Sequence, residues 1–130
     1  MLYLDSSAIV KLVAPEPESV ALVEILGADS DAISSALARV EVLRAVRRVS
    51  SSSERIGRAE DVLDRIALVP IDDDILHEAA RLTPRGLRTL DAIHLATALM
   101  LAPDLAIVVT YDSRLSDAAA EAGLAVVAPA

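Results

Sequence analysis

The sequence has 130 residues, 54% of them hydrophobic, a formal net charge of −8 and no cysteine. That length fits one domain spanning 1–130 with a full core, and the missing cysteine excludes disulfides, thiolate metal sites and cysteine nucleophiles. The acidic balance, taken globally, argues against a nucleic-acid binder, and Tyr3 and Tyr111, the only aromatic residues, cannot build an extended base-stacking platform.

Met1–Leu4 is a short apolar run that predicts a buried strand ending at Asp5. Asp5 and Lys11 interrupt the N-terminal hydrophobicity, and no run reaches the roughly eighteen apolar residues of a membrane span. With no signal-peptide pattern, a cytoplasmic protein is expected. Residues 6–13 predict a helix that stops before Pro15. Residues 17–26 predict a second, with Pro17 early and Gly27 just past its end, and Gly27-Ala28-Asp29-Ser30-Asp31 reads as a loop. Residues 32–35 predict a short strand. Residues 37–49 predict an amphipathic helix with Val42, Leu43, Val46 and Val49 on one face and Glu41, Arg44 and Arg48 on another.

A serine loop leads to a polar helix over 54–66. A strand over 67–71 follows, placed at a sheet edge by Pro70. Asp72, Asp73 and Asp74 suit the N-terminus of a helix over 75–82. After the turn at 83–86, residues 90–99 are apolar on nearly every side, which marks a buried helix. Residues 106–110 predict a buried parallel strand, 112–122 a helix closed by Gly123, and 124–127 a last strand. This alternation predicts an α/β fold, a parallel sheet with helices on both faces.

Four acids stand out. Asp91 enters the buried helix in its first turn, which is costly for a carboxylate without a partner; the commoner explanation is an N-cap. Asp5 and Asp112 follow the first and fourth strands and also fit caps. Glu41 does not fit a capping box, because Ala38 stands three residues earlier, and its ordinary alternative is a pairing with Arg44. His94 reads as a satisfied buried histidine rather than a metal ligand. In an open parallel sheet, functional groups collect beyond the carboxyl ends of the strands. If the first and fourth strands are neighbours, all four acids face one crevice. Such a cluster raises its own pKa values unless a cation compensates. Oxygen ligands alone favour Mg²⁺ or Mn²⁺ over zinc. An ion of that kind lowers the pKa of bound water and stabilises an in-line displacement, the chemistry of phosphodiester hydrolysis.

Four stretches in order, Leu4-Asp5-Ser6-Ser7-Ala8, Arg39-Val40-Glu41-Val42-Leu43-Arg44-Ala45, Leu90-Asp91-Ala92-Ile93-His94-Leu95-Ala96-Thr97-Ala98 and Thr110-Tyr111-Asp112-Ser113-Arg114-Leu115, make the chain resemble PIN-domain ribonucleases of the VapC toxin type. The resemblance implies a PIN-like sheet of about five strands in the order 3-2-1-4-5. It also implies a Mg²⁺- or Mn²⁺-dependent endoribonuclease acting on RNA as a toxin, a homodimer, and a cognate VapB-type antitoxin. By motif position Asp5, Glu41, Asp91 and Asp112 are the metal-binding, catalytic acids. Asp5 and Asp91 would hold the main ion. Glu41 would share it or orient the attacking water, and Asp112 would tune it or bind a second. Ser6 and Thr110 flank the site, and Arg44 and Arg48 share the Glu41 face where they can meet RNA phosphates. A receiver-like domain would want an acidic pair after the first strand, where Ser6 and Ser7 follow Asp5. A haloacid-dehalogenase-like phosphatase would want an acid at Ser7. A non-catalytic partner-binding protein would leave the acids as helix caps.

Overall fold

The computed structural model describes residues 1–27 and 31–130, so Ala28, Asp29 and Ser30 of the expected loop lie outside the described residues. Five strands form one parallel sheet: β1 (Leu2–Leu4), β2 (Ala32–Ser35), β3 (Ala67–Val69), β4 (Ile107–Val109) and β5 (Val126–Val127). Their order is β3-β2-β1-β4-β5, as expected, and differs from the 2-1-3-4-5 order of flavodoxin-like and receiver sheets. The helices are α1 (Ser6–Val13), α2 (Ser19–Leu26), α3 (Leu37–Val49), α4 (Ser53–Asp64), α5 (Asp73–Arg81), α6 (Thr89–Leu101) and α7 (Ser113–Glu121), and a 3-10 turn (Ala102–Asp104) follows α6.

Strand alternation divides the core between the two sheet faces. Leu4 and its β4 partner Val109 pack with Ala8, Ile9, Val13, Val42 and Leu63 on the face covered by α1, α3 and α4. Tyr3 and its partner Val108 pack with Ala98 of α6 on the other face. Both sides of β1 are thus buried, which explains its unbroken apolar run. In α6 the seven consecutive residues from Ala92 to Ala98 are buried, between α5, α7 and the sheet.

Several ends move from their expected positions for local reasons. β3 stops at Val69 rather than residue 71, because Pro70 has no N–H to continue the ladder; β3 is an edge strand, as Pro70 implied. The second helix starts at Ser19, whose hydroxyl accepts from Glu16 N and donates to Lys11 O, tying the preceding turn to α1. Asp72 caps α5 by accepting from Ile75 N, with Asp73 and Asp74 in the first turn where the helix dipole favours them.

The topology places the acids. From β1 the chain steps outward to β2 and β3, then crosses back through α5 and α6 to β4 on the other side of β1. β1 and β4 therefore flank the switch point of the sheet, where open α/β sheets bind ligands. A crossover helix runs back against its strands, so its first turns lie at their carboxyl ends. The starts of α1, α3, α6 and α7 bring Asp5, Glu41, Asp91 and Asp112 to that one edge.

Candidate active site

A cleft of about 290 Å³ opens at the switch point, lined by all four acids together with Ser6, Ser7, His94, Arg88, Thr89 and Leu90. Asp5 forms its floor, with only 4% of its surface exposed. Its Oδ1 accepts from Ala8 N (3.0 Å) and the Ser7 hydroxyl (2.6 Å), and its Oδ2 accepts from the Thr110 hydroxyl (2.6 Å). Asp5 is therefore the N-cap of α1, as the plainer reading had it. Burial pushes its pKa above the ordinary carboxylate value, and the three donors offset this only in part. Ser7 and Thr110 also receive the Tyr111 and Asp112 backbone N–H groups, so the two hydroxyls bind the start of α1 to the β4–α7 connection.

Asp112 is likewise a cap. Its Oδ1 accepts from Arg114 N (2.9 Å) and Leu115 N (3.0 Å) at the start of α7. Asp91 is not. The N-cap of α6 is Arg88, without a side-chain capping bond, and Asp91 sits three residues inside. The only ionic partner of Asp91 among the described residues is Arg88, at 3.9 Å and with its own side chain 63% exposed, a pairing that contributes little in solvent. Burial raises the Asp91 pKa, the negative charges of Asp112 and Asp5 raise it further, and Arg88 and His94 offset part of this. The three carboxylates therefore share one electrostatic neighbourhood.

Glu41 pairs with Ser6 and His94 rather than with Arg44. The Ser6 hydroxyl donates to Glu41 Oε1 (2.6 Å), and His94 Nε2 lies 2.7 Å from the same oxygen. Burial pushes the Glu41 pKa up, but the His94 and Ser6 hydrogen bonds outweigh it and hold the carboxyl below its usual value. His94 Nδ1 lies 2.8 Å from the Tyr3 hydroxyl. Both ring nitrogens are thus engaged, and the expectation that His94 is satisfied rather than a ligand agrees with this geometry.

Ser6 and Thr110 stand where the sequence placed them, each on one acid of the cleft. Arg44 and Arg48 are exposed on α3, one and two turns beyond Glu41, and do not line the cleft; the arginine that does is Arg88. Sequence reasoning missed Ser7, Tyr3 and Arg88. A signal existed for two of them. Ser7 is within local reach of Asp5, and Tyr3, two residues before Asp5 on an alternating strand, shares its side of the sheet.

Among the described residues no three His, Cys, Asp or Glu side chains stand close enough to hold one ion together. The donor set nevertheless fits Mg²⁺ or Mn²⁺. With both His94 nitrogens occupied the cleft offers only oxygens. Asp91 and the second oxygens of Glu41 and Asp112 accept no hydrogen bond from the described residues. Mg²⁺ is ordinarily held by one or two carboxylates with waters and substrate phosphate rather than by a closed protein cage.

The PIN domain family profile matches residues 2–121. Ribonuclease VapC46 of Mycobacterium tuberculosis is 50% identical, over 98% of this chain and 97% of its own length. Ribonuclease VapC35 of the same species is 46% identical, over 99% and 97%. Among solved structures, VapBC2 from Rickettsia felis bound to a promoter DNA fragment superposes with a TM-score of 0.73 at 15% identity, covering 100% of both chains. Mycobacterium tuberculosis VapC20, a Sarcin-Ricin loop cleaving toxin, gives 0.72 at 16%, covering 99% of this chain and 100% of its own. The two structures share the fold, and the two sequences share far more than the fold: the chain belongs to the PIN-domain family, among the VapC ribonucleases.

Proposed function

We propose that the chain is a Mg²⁺- or Mn²⁺-dependent endoribonuclease, the toxin of a toxin–antitoxin pair, hydrolysing phosphodiester bonds inside RNA. The observation that carries this is Asp91, a carboxylate half-buried in a shared acidic cleft, capping nothing and facing two other acids. A cap-only protein has no use for it there. When bound, a divalent ion would lower the pKa of a water and screen the charge that builds as water attacks phosphorus and the bond to one ester oxygen breaks. Asp91 and Asp5 would hold that ion. Asp5 is fixed by Ser7, Ala8 and Thr110 before any ligand arrives, so little reorganisation is needed. Glu41, kept ionised by Ser6 and His94, suits an ion ligand or a water-orienting group and is a poor proton donor. Asp112 adds the charge that keeps the cleft anionic. Arg88 at the rim suits an RNA phosphate, while Arg44 and Arg48 would meet RNA only beyond the cleft. Incubation with total cellular RNA and sequencing of product ends tests the reading: discrete internal sites support it, and intact RNA counts against it.

Binding to the folded cleft and not to the unfolded chain stabilises the fold. Titrating Mg²⁺ or Mn²⁺ into the millimolar range therefore raises the melting temperature by several degrees, since an ion at about 100 times its Kd adds about 2.7 kcal/mol. EDTA reverses the shift. A melting temperature that neither ion moves is the contrary result.

The partner we assign is a VapB-type antitoxin, and the active species a homodimer in the cytoplasm. No helix among the described residues is long and apolar enough to cross a membrane. The antitoxin is expected to insert an Arg or Lys between Asp5 and Asp91, because a guanidinium bonds a carboxylate through two parallel N–H groups and competes with the ion or RNA. The net charge of −8 favours a basic partner segment. Changing the antitoxin's basic residues singly to alanine should release RNase activity at one position. If none does, and the complex binds Mg²⁺ as the free toxin does, inhibition does not act through the cleft.

A further inference from the structure

We propose that His94 is a positioning residue that holds Glu41 through its Nε2–H, with the Tyr3 hydroxyl as the hydrogen-bond partner of its other ring nitrogen. This rests on reading the cleft as a metal-dependent nuclease site. Tyr3 is 1% exposed, on the β1 face that meets α6, and its ring stands edge-on to His94 with centroids 5.9 Å apart. The phenol oxygen is 2.8 Å from Nδ1, and Nε2 is 2.7 Å from Glu41 Oε1. A neutral imidazole has one donor and one acceptor nitrogen, so only two arrangements exist. If Nδ1 carried the proton, the Nε2 lone pair would face an ionised carboxylate at 2.7 Å, acceptor against acceptor. With the proton on Nε2, the ring donates to Glu41 and Nδ1 accepts from the Tyr3 hydroxyl. A tyrosine hydroxyl carries its proton at neutral pH and can supply that hydrogen.

The consequence for Glu41 is positional. Oε1 takes Ser6 Oγ from one side and His94 Nε2 from the other, the two donors themselves 3.3 Å apart. A long, flexible carboxylate on α3 is thereby pinned by α1 and α6, leaving Oε2 as the oxygen without a donor among the described residues. Outer hydrogen bonds of this kind orient ligands and commonly contribute about 10–100-fold to metal affinity.

Two readouts test the proposal. The first is the ¹⁵N spectrum of the His94 ring in metal-free protein, recorded well above the ordinary imidazole pKa. The Nε2–H tautomer is expected in wild type and in Tyr3→Phe alike, because the Glu41 carboxylate opposes the other tautomer in both. An Nδ1–H ring, or a ring protonated at both nitrogens, overturns the proposal. The second is Mn²⁺ affinity by calorimetry. His94→Leu, which removes the donor, is expected to weaken Mn²⁺ binding about 10–100-fold. His94→Gln, whose amide N–H reaches where Nε2 stands, is expected to retain most of it. Wild-type affinity in His94→Leu overturns the proposal. Should that variant fail to fold, Tyr3→Phe and the spectrum still decide. Wild-type protein that neither binds Mn²⁺ nor cleaves RNA defeats the nuclease reading instead, while the tautomer is read without either.

Discussion

Asp91→Asn removes RNA cleavage, by about 100-fold or more, and leaves the metal-free protein as stable as wild type or more so. The first half follows from chemistry, since an amide is a poorer ligand for a hard cation than a carboxylate. The second follows from the environment. Asp91 caps nothing, has among the described residues only an exposed guanidinium at 3.9 Å, and its ionisation is opposed by burial and by Asp112 and Asp5. The sign is fixed by linkage. A carboxyl whose folded pKa exceeds its unfolded value binds more protons when folded, so wild-type stability falls as pH rises from the ordinary carboxylate value through the raised one. The variant lacks that loss. Urea melts of metal-free protein across this window, together with cleavage rates, check both halves. A less stable variant with unimpaired cleavage is the opposite outcome.

Asp5→Asn also removes cleavage but destabilises the fold, by about 1–3 kcal/mol. Asp5 is buried and accepts three hydrogen bonds, from Ser7, Ala8 and Thr110. An amide presents an NH₂ to at least one of those donors, leaving buried hydrogens unmatched. Its pKa is raised like that of Asp91, so the substitution also removes a charge that burial penalises; the lost hydrogen bonds outweigh that relief. Urea denaturation of the two Asn variants side by side is the check. Equal stabilities would mean that the hydrogen-bonded floor of the cleft contributes nothing to the fold.

From sequence alone the two substitutions look alike, and the difference between them shows where such reading stops. The acids themselves were legible because each falls at a strand end or an early helical turn, and strand alternation with helical periodicity places those ends on one edge. What Asp91 does there was not legible. Whether an early acid caps its helix depends on the residue at which the helix begins, and α6 begins at Thr89 after an Arg88 that carries no capping signal. Asp5 and Asp112 show the reverse: the plain capping reading was correct, yet a capping carboxylate keeps lone pairs for a ligand. For Glu41 the ordinary alternative to a site role was a pairing with Arg44, one helical turn away. Its actual partners come from α1 and α6, 35 and 53 residues distant, a tertiary fact with no local signature. The Tyr3–His94 contact, across 91 residues, likewise needs β1 and α6 to be stacked first. The arginines illustrate the same limit. Arg44 and Arg48 share the Glu41 face of their helix, but only Glu41 of the three lines the cleft, and the crossover connection delivers Arg88 instead.

The rate of RNA cleavage by EDTA-stripped protein, followed as Mg²⁺ or Mn²⁺ is returned, tests the metal-dependent cleft most directly. No cleavage without ion, recovery over the millimolar range, and no recovery at any ion concentration for Asp91→Asn are the expected results. Cleavage in EDTA at the full rate, or an Asp91→Asn variant that recovers as wild type does, would contradict the assignment of these carboxylates.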